Sequence, residues 1–370
     1  MKARMPADVP DLCCPACDRS YPAGPDEPWR CSCGGPLELD AAPTLPGDPP
    51  SPGTLGRDAG LWAFADWLPV APRTTLGAGW TPLVSAPDFG CAFKLEYVFP
   101  SGSFKDRGAE TTLSRAVALG VERVVEDSSG NAGAAIAQYA ARAGLDATIY
   151  VPAEAKPAKL AAIERVGARI EPIEGDRQAV TDACVEAVEQ GAGWYASHAW
   201  NPAFYAGTAT FAFEVCAQRG WTAPDAVVLP LGHGTLLIGA FRGFTALHDA
   251  GIIEQVPRLL AVQAAGVAPV AEAVRGDAGT GKNDLADGIQ IQTPARHEEV
   301  LRAIRETDGD AITVDQDSTQ TALSRLRKAG FYVEPTSAAA PAGLAAYRAA
   351  GALGDEDVVV PLTGSGLKDT

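Results

Sequence analysis

Positive charge is scarce in this chain of 370 residues: 30 lysines and arginines face 46 aspartates and glutamates, a formal net charge of −16. Such a surface repels a phosphate backbone, and no run of Lys and Arg supplies a basic face, so nucleic acid is excluded as a partner. Long apolar runs are missing too. None reaches the roughly 18 to 20 residues of a spanning helix, which excludes a membrane span. The opening MKARMPADVP has no apolar core of the secretory kind, and a soluble cytoplasmic protein is expected. Evenly spaced cysteines are also lacking. Five of the eight crowd into the first 33 residues, while Cys91, Cys184 and Cys216 stand singly. A secreted disulfide scaffold is short and evenly stapled, whereas a chain this long and 46% hydrophobic can bury a core without staples.

No repeat of solenoid period is present. Residues 12–40 form a compact cysteine-rich unit. Residues 41–60, with Pro43, Pro46, Pro49, Pro50 and Pro52, read as a semi-extended linker. From about residue 90, short β-like runs alternate with Ala-rich helical stretches. Strands are expected at 92–97, 121–126, 146–152, 168–173, 225–232, 259–263 and 357–364, and helices at 104–120, 131–144 and 157–167. Apolar strands alternating with helices imply an α/β fold, with parallel sheets covered on both faces.

In the first unit, Cys14 and Cys17 are two residues apart and Cys31 and Cys33 one apart, with 13 residues between the pairs. Two close thiol pairs in turns rich in Gly or Pro can supply four sulfurs to one tetrahedral Zn²⁺, and Gly34 and Gly35 permit the tight knuckle. Four sulfurs leave no open position, so a zinc here would be structural. Reduced thiols without metal, or a redox pair, are the alternatives, and Cys13 is a neighbour able to compete.

Only eight lysines occur, and one of them, Lys105, ends a Pro-Ser-Gly turn in PSGSFKDRG (100–108), where a strand gives way to a helix. Open α/β sheets hold their ligands at that end of a strand. A desolvated amine beside a helix N-terminus favours its neutral, nucleophilic form and can form an imine with a carbonyl cofactor. The plain alternative is a surface lysine paired with Asp106. Two further loops bear on the choice. EDSSGNAG (126–133) sets backbone N–H groups, two hydroxyls and the Asn131 amide between a strand and a helix, an anion cradle or merely good turn chemistry. LPLGHGTLLIGAF (229–241) invites a dinucleotide reading and fails it, because Leu237 holds the third glycine position and LLAVQ ends in Gln263 rather than an acid. A phosphate monoester held by the amides of Gly232 to Leu236 and by Thr235 fits better, with His233 close by.

Taken in order, CPAC…CSCGG, SFKDRG, SSGN, GHGTL, VEPTSAA (333–339) and PLTGSGLKD (361–369) resemble the pyridoxal-phosphate enzymes of the tryptophan-synthase β fold, and within them the threonine synthase branch. The resemblance covers almost the whole chain. It implies two open parallel-sheet lobes with a small N-terminal zinc ribbon: ribbon 1–40, linker 41–60, a large cofactor lobe of 61–111 and 221–370, and a small mobile lobe of 112–220 that closes over the substrate carboxylate. It implies pyridoxal 5'-phosphate carried by Lys105, which would also shuttle protons. Asn131 would meet the cofactor's phenolic oxygen, Gly232, His233, Gly234, Thr235 and Leu236 would surround its phosphate, and Thr363 would meet its ring nitrogen. Ser128, Ser129 and Gly130 would grip the substrate carboxylate, and Ser197, His198 and Asn201 are polar residues able to bind on the substrate side. Cys14, Cys17, Cys31 and Cys33 would hold structural zinc, and a homodimer is expected.

The resemblance also has departures. The threonine synthase pattern places Thr after the SSGN asparagine, and Arg and Lys after an Asn-Pro; this chain has Ala132, Phe204 and Ala209 there. Arg binds a phosphate dianion through charge-assisted bonds that hydroxyls do not replace. The resemblance implies elimination or replacement at the β or γ carbon of an L-amino acid such as O-phosphohomoserine, and the missing cations weigh against the phosphate-bearing substrate. β-elimination or β-replacement on another amino acid stands beside it, and a non-catalytic zinc-ribbon scaffold is the reading from another class.

Overall fold

The computed structural model describes residues 9–51, 53–155, 157–277 and 279–368, the side chains of 157–159 excepted. Residues 1–8, which begin the expected ribbon and supply most of the opening stretch, lie outside the described residues, as do Pro52 of the linker and Asp369 of the last motif.

In chain order the strands and helices are β1 (Leu12–Cys13), β2 (Ser20–Tyr21), β3 (Glu38–Leu39), β4 (Leu83–Ala86), β5 (Cys91–Lys94), α1 (Lys105–Ala118), β6 (Arg123–Glu126), α2 (Asn131–Ala143), β7 (Asp146–Pro152) and α3 (Pro157–Glu164). Next come β8 (Arg169–Ile173), α4 (Arg177–Glu189), β9 (Trp194–Tyr195), α5 (Pro202–Gln218), β10 (Ala226–Pro230), α6 (Thr235–Asp249) and β11 (Arg258–Ala264). The last are α7 (Pro269–Arg275), α8 (His297–Glu306), β12 (Asp310–Val314), α9 (Gln316–Lys328), α10 (Pro335–Ala349) and β13 (Val358–Pro361). The fold is α/β, as the alternation of apolar runs and Ala-rich segments implies.

The chain divides into two compact units. The first comprises residues up to 45, 56–79 and 105–208, and the second 46–55, 80–104 and 209 onward. In the first, a small antiparallel sheet of order β2-β1-β3 carries the cysteines, and a parallel sheet of order β8-β7-β6-β9 carries the rest. The parallel sheet packs Val125, Tyr150 and Tyr195 against Val180 and Cys184 of α4, and Trp29 joins this core from the cysteine region. A second tie is electrostatic. The buried Arg115 guanidinium of α1 donates to both Glu27 oxygens at 3.0 and 2.6 Å and to the Pro10 carbonyl at 3.0 Å.

The second unit is a six-stranded sheet of order β12-β11-β10-β13-β5-β4. β13 is buried along its whole length and β10 in all but its last residue, as expected of strands covered on both faces. Among the described residues of the two larger sheets, only the β4–β5 pair is antiparallel. Its connection is a short turn ending at Gly90 with φ 66°, and a hairpin needs only a turn where a parallel neighbour needs a long crossover. No described helix is long and apolar enough to cross a membrane.

Candidate active site

Lys105 is the first residue of α1, half-buried, with Nζ 5.7 Å from the centre of the Phe204 ring. The turn that delivers it is fixed in the second unit. Phe104 N–H donates to the Thr363 carbonyl at 3.0 Å, Ser365 N–H to the Gly102 carbonyl at 2.9 Å, and Ser103 bridges Gly364. Lys94 makes a useful contrast. It is fully buried, and its ammonium donates to Glu214 at 2.8 Å, the Thr81 carbonyl at 2.6 Å and Gln218 at 2.9 Å. A lysine so enclosed by acceptors is spent on the packing of this unit rather than offered to a ligand.

The β6–α2 turn is built around close backbone approach. A Cβ on Gly133 would lie 1.8 Å from the Ser128 carbonyl oxygen, so this position tolerates only glycine. Ser128, Ser129, Gly130 and Asn131 are all half-buried, Ser128 Oγ accepts from Gly130 N–H at 3.3 Å, and Asn131 begins α2. No side chain caps this helix.

Immediately upstream stand two buried acids that sequence reasoning missed. Glu126 accepts from the His198 backbone N–H at 3.2 Å, and its other oxygen lies 2.6 Å from His198 Nδ1. Asp127 accepts from Arg177 at 2.8 Å, Thr181 at 2.7 Å and Tyr195 at 2.9 Å. Burial, then the charge of Asp127, pushes the Glu126 carboxyl well above its ordinary range; Arg177, the His198 N–H and Lys105 pull the other way. Burial also raises Asp127, but the Arg177 charge and the Thr181 and Tyr195 hydroxyls outweigh it and hold this carboxyl below its usual value. Two acids closing an apolar strand were the available signal.

These bonds bring the segment after β9 to the β6 turn, so the structure places Ser197 and Asn201 in the same unit as Ser128–Asn131. Both side chains work on the local backbone. Ser197 Oγ accepts from the N–H groups of Ala199 and Trp200 at 3.3 and 3.4 Å. Asn201 donates to the Tyr195 carbonyl at 3.3 Å and accepts from Ala203 N–H at 3.1 Å, at the head of α5. Phe204 is fully buried against α1, where a Cβ on Gly108 would come within 2.3 Å of its ring. Ala209 is buried in the second unit, and its carbonyl would lie 2.4 Å from a Cβ on Gly243.

In the second unit, Gly232, His233, Gly234, Thr235 and Leu236 form the β10–α6 turn. Gly234 has φ 81°, and a Cβ there would meet Val300 at 2.4 Å; at Gly232 one would lie 3.2 Å from Ile291. α6 starts at Thr235 without a side-chain cap, the arrangement that suits an anion at a helix N-terminus. Thr363 follows β13, the sheet neighbour of β10, and its Oγ1 lies 3.1 Å from Ser337 Oγ. Ser337 also accepts from Gly364 N–H at 2.8 Å, which fixes the hydroxyl beside Thr363. This glycine cradle and paired hydroxyl fit a phosphorylated ring cofactor.

The Sγ atoms of Cys14, Cys17, Cys31 and Cys33 lie within 4.8 Å of one another. Cys14–Cys33 at 3.6 Å and Cys17–Cys31 at 3.5 Å approach the edge of about 3.8 Å that follows from a tetrahedron with Zn–S near 2.3 Å. Cys13 stands outside this group, on β1. The backbone at Cys33, then the Tyr21 hydroxyl, lowers the Cys31 thiol to about 6, which favours a thiolate.

Residues 74–364 match the family model described as pyridoxal-phosphate dependent enzyme. The threonine synthase of Methanocaldococcus jannaschii is 32% identical over 377 residues, 96% of this chain and 92% of that protein. That of Mycobacterium tuberculosis is 35% identical over 317 residues, 82% and 85% of the two chains. Among solved structures, maize serine racemase superposes with a TM-score of 0.66 at 21% identity, covering 77% of this chain and 88% of its own, a likeness of fold.

Proposed function

The chain belongs to the family of pyridoxal-phosphate dependent enzymes, and from that premise we propose that it is a threonine synthase-like lyase acting at the β or γ carbon of an L-amino acid such as O-phosphohomoserine. The carrying observation is Lys105, set at the head of α1 by a fixed Pro-Ser-Gly turn, in a chain similar to threonine synthases over 96% of its length. Pyridoxal phosphate supplies an electron sink for charge that develops at the α carbon. The half-buried Lys105 amine would hold the cofactor and move the α proton. The amides from Gly232 to Leu236 would bind the phosphate, with His233 at the turn, and Asn131 would donate to the ring oxygen. Thr363, held by Ser337, would face the ring nitrogen; a hydroxyl does not protonate that nitrogen as an aspartate would, which favours elimination and replacement over transamination. Ser128, Ser129 and Gly130 would bind the carboxylate. Ser197 and Asn201 would shape the substrate side through the backbone they organise. The reading also carries structural zinc on Cys14, Cys17, Cys31 and Cys33, a closing lobe of 112–220, a homodimer and a cytoplasmic location.

Ala132, Phe204 and Ala209 favour a second reading, β-elimination or β-replacement on an amino acid without a phosphate. Phe204 and Ala209 sit in close packing, where a cation would need other neighbours to move. Product analysis by NMR with O-phospho-L-homoserine, with Lys105→Ala as control, separates the readings. Threonine and free phosphate support the first. No turnover by a protein that keeps the cofactor's visible absorbance moves the assignment to the second. Elemental analysis showing one zinc per chain, lost in Cys14→Ser with Cys31→Ser, supports the metal; wild type without zinc removes it.

A further inference from the structure

Glu126 and His198 form a pair that the roles above leave unused. The two side chains are 0% and 7% exposed, at the carboxyl end of β6 and one residue before the Asp127–Ser128 turn. Both carboxyl oxygens of Glu126 go to residue 198, one accepting from its backbone N–H and one 2.6 Å from Nδ1, so the position of the imidazole is fixed at two points. That is the arrangement of a proton-transfer base with its orienting acid. Holding the segment does not require it. Ala196 N–H donates to the Val125 carbonyl at 2.9 Å, Asn201 to the Tyr195 carbonyl at 3.3 Å, and the Tyr205 hydroxyl to the Ala199 carbonyl at 2.7 Å. A buried acid–imidazole pair is a poor stabiliser compared with apolar residues, which favours a chemical role. The pair also lies near the lysine. The Phe204 ring is contacted by the His198 ring, 6.1 Å between centres at 68°, and by Lys105 Nζ at 5.7 Å. Lys105 is among the charges that pull the Glu126 carboxyl toward its ionised form, against the burial and the Asp127 charge that outweigh them.

We propose that His198, oriented by Glu126, is a second proton-transfer group of this enzyme, serving the oxygen that departs from or adds to the substrate beyond the α carbon, while Lys105 serves the α carbon itself. The inference rests on the reading above. As the carbon–oxygen bond breaks, its electron pair leaves with the oxygen, which receives the imidazolium proton. When water adds, its oxygen lone pair forms the new bond and its proton returns to the imidazole, so the ring ends as it began. Glu126 is a positioning residue in this scheme.

The test uses the cofactor-loaded enzyme with O-phospho-L-homoserine in D2O, following α-hydrogen exchange and phosphate release separately. His198→Gln is expected to keep α exchange while release slows about 10²- to 10⁴-fold, the usual worth of a general acid or base. Glu126→Gln should slow release less and shift the ¹⁵N signals of the His198 ring, identified by their loss in His198→Gln, a readout independent of turnover. Release at the wild-type rate in both variants overturns the proposal, and so does exchange falling in step with release. Should His198→Gln lose its fold and visible absorbance, Glu126→Gln decides by the same two criteria. If Lys105→Ala exchanges like wild type, the underlying reading falls and the proposal with it. Exchange abolished in Lys105→Ala but unaffected in the histidine variant keeps the two claims distinguishable.

Discussion

Two strand-to-helix turns carry most of the candidate residues, and they solve the same problem with opposite materials. β6 runs through Glu126, Asp127, Ser128, Ser129 and Gly130 into α2; β10 runs through Leu231, Gly232, His233 and Gly234 into α6. Both helices start at a glycine with no side-chain cap, whereas α4 and α9 are capped by Asp176 and Asp315 in the ordinary way. Around the first turn sits a crowd of titratable side chains: the buried Glu126, Asp127 and His198, with the exposed Arg177 paired to Asp127. The second turn is shaped by close approach to Ile291 and Val300. A turn that selects by charge and one that selects by backbone shape therefore share one local design. What differs is what the neighbouring strands bring: β9 delivers His198, and β13 delivers Thr363.

The largest effect expected is that of Lys105→Ala, which would abolish turnover and the visible absorbance of the bound cofactor; an unchanged absorption spectrum would break the assignment of both turns at once. Gly133→Ala comes next, because its Cβ would strike the Ser128 carbonyl. Thermal unfolding should show a loss on the order of 3 kcal/mol, and wild-type stability would mean that the first turn is not held by close approach. Gly234→Ala should cost about 1–2 kcal/mol for its positive φ and weaken retention of the cofactor on dialysis; equal retention would deny the second turn its phosphate. The smallest effect sharpens the contrast through pH. Asp127 is held below its ordinary value, so its contribution is present above the usual carboxylate range near pH 4 and is lost as pH falls through the lowered value. Asp127→Asn should flatten this acid limb of stability, measured by denaturant unfolding between neutral and acid pH. An identical acid limb would show that the charged turn does not behave as charged.

The fold was legible where the signal is local. Ala-rich NAGAAIAQYAARA, read as a helix over 131–144, forms α2 and stops at Gly144 with φ 72°; DATIYVP is the strand at 146–152. The four clustered thiols were legible for the same reason, since close pairs in sequence fold into one knuckle. α9 was not read. Its buried stripe is Thr319, Ala322, Leu323 and Leu326, two of them too small or too polar to stand out among Gln, Asp and Arg. The Glu126–His198 pair was invisible because 72 residues separate its members. Only the β6–β9 pairing, Val125 against Tyr195, sets them side by side, and chain order does not announce which strands become neighbours. Ser337 and Thr363 meet through sheet and helix packing in the same way.

The Arg115–Glu27 pair bears on how the chain is made. Synthesis from the N-terminus makes Glu27 88 residues before its guanidinium partner exists. Glu27 therefore waits in water while the lysine-bearing helix is still to come, and docking of the first residues is a late event by necessity. A shortened chain begun after residue 40 would leave the Arg115 cation with neither of its acceptors, Glu27 and the Pro10 carbonyl.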